Sequence, residues 1–195
     1  ARNLTEGKGN SWGGVWSPDG QYLAFYSDRN GFQALWIWKR TSGEMRQVSD
    51  AIMRTRTETM VPRWTPDSRK LVVKTVPEGL TIDDIAGMLT RPETETKSSS
   101  DKEPGSTVVL YTSRVTKTAE EQERERVRQN KNLEAYAVDL AVVDIHTGKT
   151  QRLPRRIMAD YWWVSPDGTN VAFLITKGRA SQRSLQSLWD LAVIS

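Results

Sequence analysis

The chain has 195 residues, of which 37% are hydrophobic and 27% charged, a balance that fits one ordinary domain or two small ones and excludes disorder throughout. It has no cysteine and one histidine, His146, which excludes a disulfide framework, a thiolate metal site, a cysteine nucleophile and a histidine-rich metal centre. The formal charge is +4, but basic and acidic residues interleave along the whole length without the basic stripe that nucleic acids select, and no apolar run approaches the roughly 20 residues that span a bilayer.

In chain order, Arg2–Thr5 reads as a strand. A stronger signal begins at Trp16-Ser17-Pro18-Asp19-Gly20 and runs through two variable residues into Leu23-Ala24-Phe25. Proline presets φ for the second position of a tight turn, aspartate bonds local backbone N–H groups, and glycine accepts the return geometry. A strand, a turn and a second strand therefore make a hairpin. Ala34–Trp38 is a third strand, Thr41-Ser42-Gly43-Glu44 a turn, and Arg46–Ser49 a fourth strand.

The motif returns as Trp64-Thr65-Pro66-Asp67-Ser68 before Leu71-Val72-Val73. It returns again as Trp163-Val164-Ser165-Pro166-Asp167-Gly168 before Val171-Ala172-Phe173, with one extra residue ahead of the serine. The second pattern recurs in Asp139–Asp144, the turn around Gly148 and the strand Thr150–Leu153. The aspartates Asp19, Asp67 and Asp167 thus occupy one turn position of three separate units and read as turn formers, not as a carboxylate set.

Two hairpins in series give a four-stranded antiparallel meander. The spacing of Pro18 and Pro66 is 48 residues, and repetition at such a period marks the blades of a β-propeller. The expected fold is all-β, a partial propeller of about three four-stranded blades: a blade tail at 1–6, blade one at 12–50, blade two at 61–76 and 139–153, and an incomplete blade three at 160–195. Trp16, Trp64 and Trp163 are expected to pack between neighbouring blades, and Trp36, Trp38 and Trp189 to fill sheet-to-sheet contacts.

Pro18 to Gly43 takes 25 residues and Pro66 to Gly148 takes 82, so blade two carries an insertion, placed at 77–138. Thr81 and Asp84 have capping-box spacing and predict a short helix over Ile82–Leu89. Arg91–Thr107 is rich in Ser, Thr, Glu, Lys and Pro and reads as flexible. Ala119–Asn132 reads as a charged helix with its acidic residues first. The rival reading is a degenerate blade with Val108–Thr112 as one strand.

The Trp-Ser-Pro-Asp-Gly pattern resembles the WD-like repeats of TolB-type propellers and of the N-terminal propellers of prolyl-oligopeptidase-family serine peptidases. The resemblance covers the chain except about 77–138. It implies a non-catalytic segment that gates substrate access to a C-terminal α/β-hydrolase domain of the same parent chain, with peptides or proteins as partners. The alternative it implies is a TolB-like scaffold for protein–protein interaction. Either home is bacterial by resemblance, in the periplasm or the cytoplasm.

No catalytic constellation is present: there is no Gly-x-Ser-x-Gly elbow, no His-Glu-x-x-His and no phosphate-binding glycine loop. His146 reads as a surface turn residue, and no cofactor or metal is implied. Blade topology puts the Pro18-Asp19-Gly20, Pro66-Asp67 and Pro166-Asp167-Gly168 turns on one face with the Gly43 and Gly148 turns. The opposite face receives the longer loops, which carry Arg54, Arg56, Arg155, Arg156, Lys177, Arg179 and Arg183. Loops on a rigid scaffold carry function, so this basic face is the candidate recognition surface. Three blades alone leave sheet faces and strand edges uncovered, which predicts association of the isolated chain.

Overall fold

The structure is a computed structural model and describes residues 2–55, 60–89, 136–153, 157–179 and 187–195. Eleven strands and one helix follow in chain order: β1 Ser11–Trp16, β2 Tyr22–Ser27, β3 Ala34–Lys39, β4 Met45–Gln47, β5 Arg63–Trp64, β6 Lys70–Thr75, α1 Ile82–Leu89, β7 Asp139–Asp144, β8 Thr150–Arg152, β9 Ala159–Val164, β10 Val171–Arg179 and β11 Ser187–Ile194. They form three antiparallel meanders, β1-β2-β3-β4, β5-β6-β7-β8 and β9-β10-β11. Sequence-adjacent strands lie side by side within each sheet, which is the blade arrangement of a β-propeller. The fold is all-β, a partial propeller.

The chain divides into two compact units, residues 1–81 with 137–195, and residues 82–136. The first holds all three blades. The second contains α1, with Asp83 and Asp84 in its first turn, where they complement the helix dipole. The helix expected over Ala119–Asn132 and the strand considered at Val108–Thr112 lie outside the described residues.

Strand periodicity decides how the blades stack. On β2, Ala24 and Tyr26 point toward the second blade; on β3, Leu35 and Ile37 do the same. They meet Leu71, Val73, Ala141 and Val143 in one buried cluster. The alternate residues of the second blade, Val72 and Leu140, meet Trp162, Val171 and Phe173 of the third in another. The central strands of blade two, β6 and β7, are buried on both sides, so their sequences are largely apolar. The register repeats: the residues one and three places into the strand after the turn (Leu23 and Phe25, Leu71 and Val73, Val171 and Phe173) face backward along the chain, and those between face forward.

Two glycines are fixed by contacts. In β1 the register shifts between Trp12 and Val15, and Gly13, with φ +67°, would place a Cβ 3.1 Å from the Tyr26 ring and 3.3 Å from the Met60 carbonyl. In the β7–β8 turn, Gly148 has φ +72° and would place a Cβ 2.6 Å from the Val48 carbonyl of the first blade. Bulged and left-handed positions of this kind favour glycine.

Several expectations need correction. Arg2–Thr5 is not a strand. The Asn3 side chain accepts from the N–H groups of Thr5 and Glu6, an Asx-type turn that competes with extended pairing. Of the tryptophans expected between blades, Trp64 is 8% exposed, but Trp16 and Trp163 are 51% and 44% exposed. The extra residue in the third motif explains the second case: it shifts Trp163 by one position, so that Trp163 faces away from the second blade and the neighbouring Trp162 is the buried ring. Trp16 points to the side of blade one away from blade two. Trp36 is buried and Trp38 half-buried in a small cluster with Phe25, Ala34 and Met45, whereas Trp189 is exposed. β10 runs to Arg179, so Lys177 and Arg179 lie on a strand and not in a loop.

Candidate recognition face and the frame beneath it

The turn face is a set of three near-identical hydrogen-bonded units. In the first, the Ser17 hydroxyl donates to Asp19 Oδ1 at 2.5 Å, and the same carboxylate accepts from Gln21 N–H at 3.0 Å. Ser17 Oγ in turn accepts from Tyr22 N–H at 2.9 Å. Thr65, Asp67, Arg69 and Lys70 repeat these bonds at 2.6, 3.1 and 3.0 Å. Ser165, Asp167, Thr169 and Asn170 repeat them at 2.5, 3.0 and 2.9 Å. Hydrogen bonds to an ionised carboxylate favour the charged form. The Ser17 hydroxyl, followed by the Gln21 N–H, holds Asp19 below the usual carboxylate range. The Thr65 hydroxyl does the same for Asp67, and Ser165 with Thr169 brings Asp167 to about 2.

The turns also join one blade to the next. Asp19 N–H donates to Ser68 Oγ at 3.1 Å. Ser68 stands where the other two turns have glycine and keeps φ at +59°, so its hydroxyl offsets part of the cost of a left-handed side-chain-bearing residue. At the next junction Gly168 lies against the Pro66 ring. Below the turns, Trp64 Nε1 donates to the Val15 carbonyl at 3.1 Å and Trp162 Nε1 to the Val72 carbonyl at 3.0 Å. Arg46 donates to the Ile145 carbonyl. His146 is exposed and its ring lies edge-on to Tyr22, 6.2 Å away.

The loop face rests on a second, deeper frame. Asp139 is fully buried and accepts from Arg152 Nη1 at 2.9 Å and from Glu78 N–H at 2.9 Å. The same Arg152 nitrogen also lies 2.9 Å from Thr75 Oγ1 and from the Val76 carbonyl. One guanidinium thus ties the end of β6, the start of β7 and the outer strand β8, where the chain leaves and re-enters the blade. On the same blade Lys74 is buried, with its ammonium 5.0 Å from the Trp162 ring centroid, a cation–π distance. The crossover from blade one is pinned beside it: Arg54 N–H donates to the Lys74 carbonyl at 3.0 Å, Met53 N–H to the Gln33 carbonyl at 2.7 Å, and Thr55 Oγ1 accepts from Trp12 Nε1 at 3.0 Å.

Of the seven basic residues expected on this face, Arg54 is described in full, half-buried at the crossover. Lys177 and Arg179 are placed by their backbone on β10. Arg56, Arg155, Arg156 and Arg183 lie outside the described residues. Lys74, Asp139, Arg152 and Trp162 were not singled out from the sequence. Their signal is nonetheless there: Lys74 interrupts the apolar run Leu71-Val72-Val73, and Asp139 opens another. A charge inside a run that is buried on both sides needs a partner.

Among the described residues no three of His, Cys, Asp and Glu gather as a metal ion requires, and no helix is long and apolar enough to cross a membrane. The described geometry holds a stack of blades with two differently built faces.

Stacked meanders of three or four strands with one turn motif repeated at each inner hairpin define the class as a β-propeller, and the chain resembles the propellers of TolB and of prolyl-oligopeptidase-type and acylaminoacyl peptidases. No family model matches. Over 82 residues, 41% of its length, the chain is 39% identical to the uncharacterized peptidase YuxL of Bacillus subtilis strain 168, and the match spans 12% of that protein. The chain therefore covers about an eighth of the curated relative it matches. Among solved structures, one of oligogalacturonate lyase in complex with manganese aligns with a TM-score of 0.51 and 18% identity over 96% of this chain and 39% of the other. TolB from Acinetobacter baumannii aligns with a TM-score of 0.46 and 11% identity, over 94% and 29%. A structure from a study of two prolyl endopeptidases aligns at 0.49 and 16%, over 95% and 22%. At such identities the likeness concerns the fold.

Proposed function

We propose that this chain is a non-catalytic part of the N-terminal propeller of a prolyl-oligopeptidase-like serine peptidase, where it limits substrate access to a hydrolase domain downstream in the same polypeptide. The observation that carries the reading is the 82-residue stretch 39% identical to a peptidase. The partial propeller fits it, as does the lack of any elbow motif in the chain itself. Cleavage then belongs to residues beyond Ser195, and the propeller contributes its loop face. The recognition set proposed for that face is Arg54, Arg56, Arg155, Arg156 and Arg183, with Lys177 and Arg179 at the end of β10, a cationic set that suits peptides with acidic or carboxylate-bearing ends.

The test uses the parent polypeptide. Its reading frame should carry a Gly-x-Ser-x-Gly motif after further blades; a stop codon after the propeller would favour an interaction scaffold instead. In the parent enzyme, reversing Arg54, Arg56, Arg155 and Arg156 to glutamate should lower kcat/KM for acidic peptides at least tenfold while neutral dipeptide substrates are cleaved as before. Unchanged selectivity would remove these residues from recognition. The purified 195-residue chain should hydrolyse no peptide, and turnover by it would refute the division of labour.

A further inference from the structure

Arg152 ends β8 of blade two on the side of the sheet away from the Pro66-Asp67 turn. It stands opposite Ala141, and Asp139 stands opposite Thr75. Residues paired across antiparallel strands share a side of the sheet. Ala141 packs in the cluster between blades one and two, so Arg152, Asp139 and Thr75 all face the seam between those two blades, at its loop end.

Every bond that Arg152 makes to the described residues starts from one nitrogen. Nη1 lies 2.9 Å from Thr75 Oγ1, from the Val76 carbonyl and from Asp139 Oδ2. Nε and Nη2 meet no acceptor among the described residues, and neither is buried. The side chain is 25% exposed, while that of Asp139 is wholly covered. Nε–H and Nη2–H point the same way in the guanidinium plane and form the fork that takes both oxygens of a carboxylate. Three acceptors around one nitrogen are work for a lysine ammonium, which carries three donors. What arginine adds here is the second edge, turned to solvent. That edge is already positioned. Asp139 is itself fixed by Glu78 N–H at 2.9 Å, and acceptors from β6, β7 and the chain after β6 hold the guanidinium, so little side-chain freedom is left to lose on binding.

We propose that Arg152 is a carboxylate anchor on the loop face, with its Nε–Nη2 edge taking a carboxylate of a bound peptide and Asp139 as the positioning residue behind it. The proposal rests on the peptidase reading for the ligand being a peptide. A chain-terminal carboxylate and an acidic side chain present the same two oxygens to this fork.

Saturation-transfer NMR on the parent polypeptide tests it with three small probes. These are N-acetyl-diglycine with a free carboxylate, the same compound as its amide, and N-acetylglutamate α-amide, whose only carboxylate is on the side chain. The wild type should bind the free acid about tenfold more tightly than the amide. The ratio between the two carboxylate probes tells whether chain ends or acidic side chains are the better ligand. Arg152→Lys keeps an ammonium for the buried acceptors and loses the fork, so the preference for acid over amide should vanish while the urea midpoint stays near that of the wild type. Arg152→Met with Asp139→Leu, which removes the buried charges together, should lose the preference equally and serves if the lysine variant does not fold. Asp139→Asn keeps the fork and removes the negative charge behind it, so it should tighten the free acid severalfold. A merely structural arginine would change the urea midpoint and leave all three ratios alone. Equal binding of acid and amide by the wild type overturns the proposal, as does a preference that survives both Arg152 variants. Unchanged affinity in Asp139→Asn overturns the coupling between the two residues. Binding is read without turnover, so a parent polypeptide that cleaves no peptide would refute the peptidase reading and leave the result on Arg152 standing.

Discussion

Replacing Gly148 with alanine separates two costs that the fold combines at one residue. Gly148 and Gly43 sit at equivalent turns, with φ of +72° and +71°. A Cβ on Gly43 meets nothing within 4 Å, whereas one on Gly148 would lie 2.6 Å from the Val48 carbonyl of the neighbouring blade. Alanine at Gly43 therefore costs the left-handed backbone alone, about 1–2 kcal/mol. Alanine at Gly148 adds a clash with main chain that cannot swing aside, and overpacking of that kind costs a further 1–3 kcal/mol. In a chain of this size 1 kcal/mol moves the melting temperature by about 2–4 °C. Gly43→Ala should then melt a few degrees below the wild type, and Gly148→Ala up to about 10 °C below Gly43→Ala. Thermal unfolding by circular dichroism on dilute samples reads both. Equal melting temperatures for the two variants would refute the claim that the β7–β8 turn is pressed against blade one.

Arg152→Met leaves the Asp139 carboxylate buried without its guanidinium and should destabilise by about 3–5 kcal/mol, with the double variant Arg152→Met, Asp139→Leu recovering much of the loss; urea denaturation of the three proteins checks it. The three turn aspartates have folded-state pKa values below their unfolded ones, so the unfolded chain binds more protons in that range and stability rises with pH. The contribution is complete above about pH 4 and is lost as pH falls toward the folded value, about 2 for Asp167. The triple Asp→Asn variant at Asp19, Asp67 and Asp167 should flatten the pH dependence of the urea midpoint between pH 5 and 2.5. Ser68→Ala keeps the positive φ and loses the acceptor for Asp19 N–H, so it should cost about 1 kcal/mol; Ser68→Gly should cost less, and the reverse order in urea midpoints would count against the proposed offset.

The blades were legible because their signal is local. Pro18, Pro66 and Pro166 each open a turn whose bonds close within five residues, and the strands on either side alternate or run apolar in the way a half-buried or fully buried strand must. The tryptophans were less legible. Whether Trp16 or Trp64 is covered depends on which blade lies behind it, and a one-residue shift before Ser165 exchanged the roles of Trp162 and Trp163. The polar frame was missed for a related reason. Arg152, Asp139 and Thr75 come together only when β8 is laid beside β7 and β7 beside β6, and nothing in their spacing along the chain marks them as partners. Strand order alone says which loops share a face, and the directions of the basic side chains proposed there do not follow from it.

The pairing of β6 with β7 joins strands separated by residues 76–138, whereas β2 and β3 are separated by residues 28–33. Closing the longer span from the unfolded chain costs roughly 2 kcal/mol more in entropy, since the cost grows with the logarithm of loop length. Blade one and the two separate hairpins of blade two can therefore form early, each from near neighbours in sequence. Joining the halves of blade two is the late, slow step. Shortening the excursion to a tight link should then speed refolding and leave the unfolding rate almost unchanged.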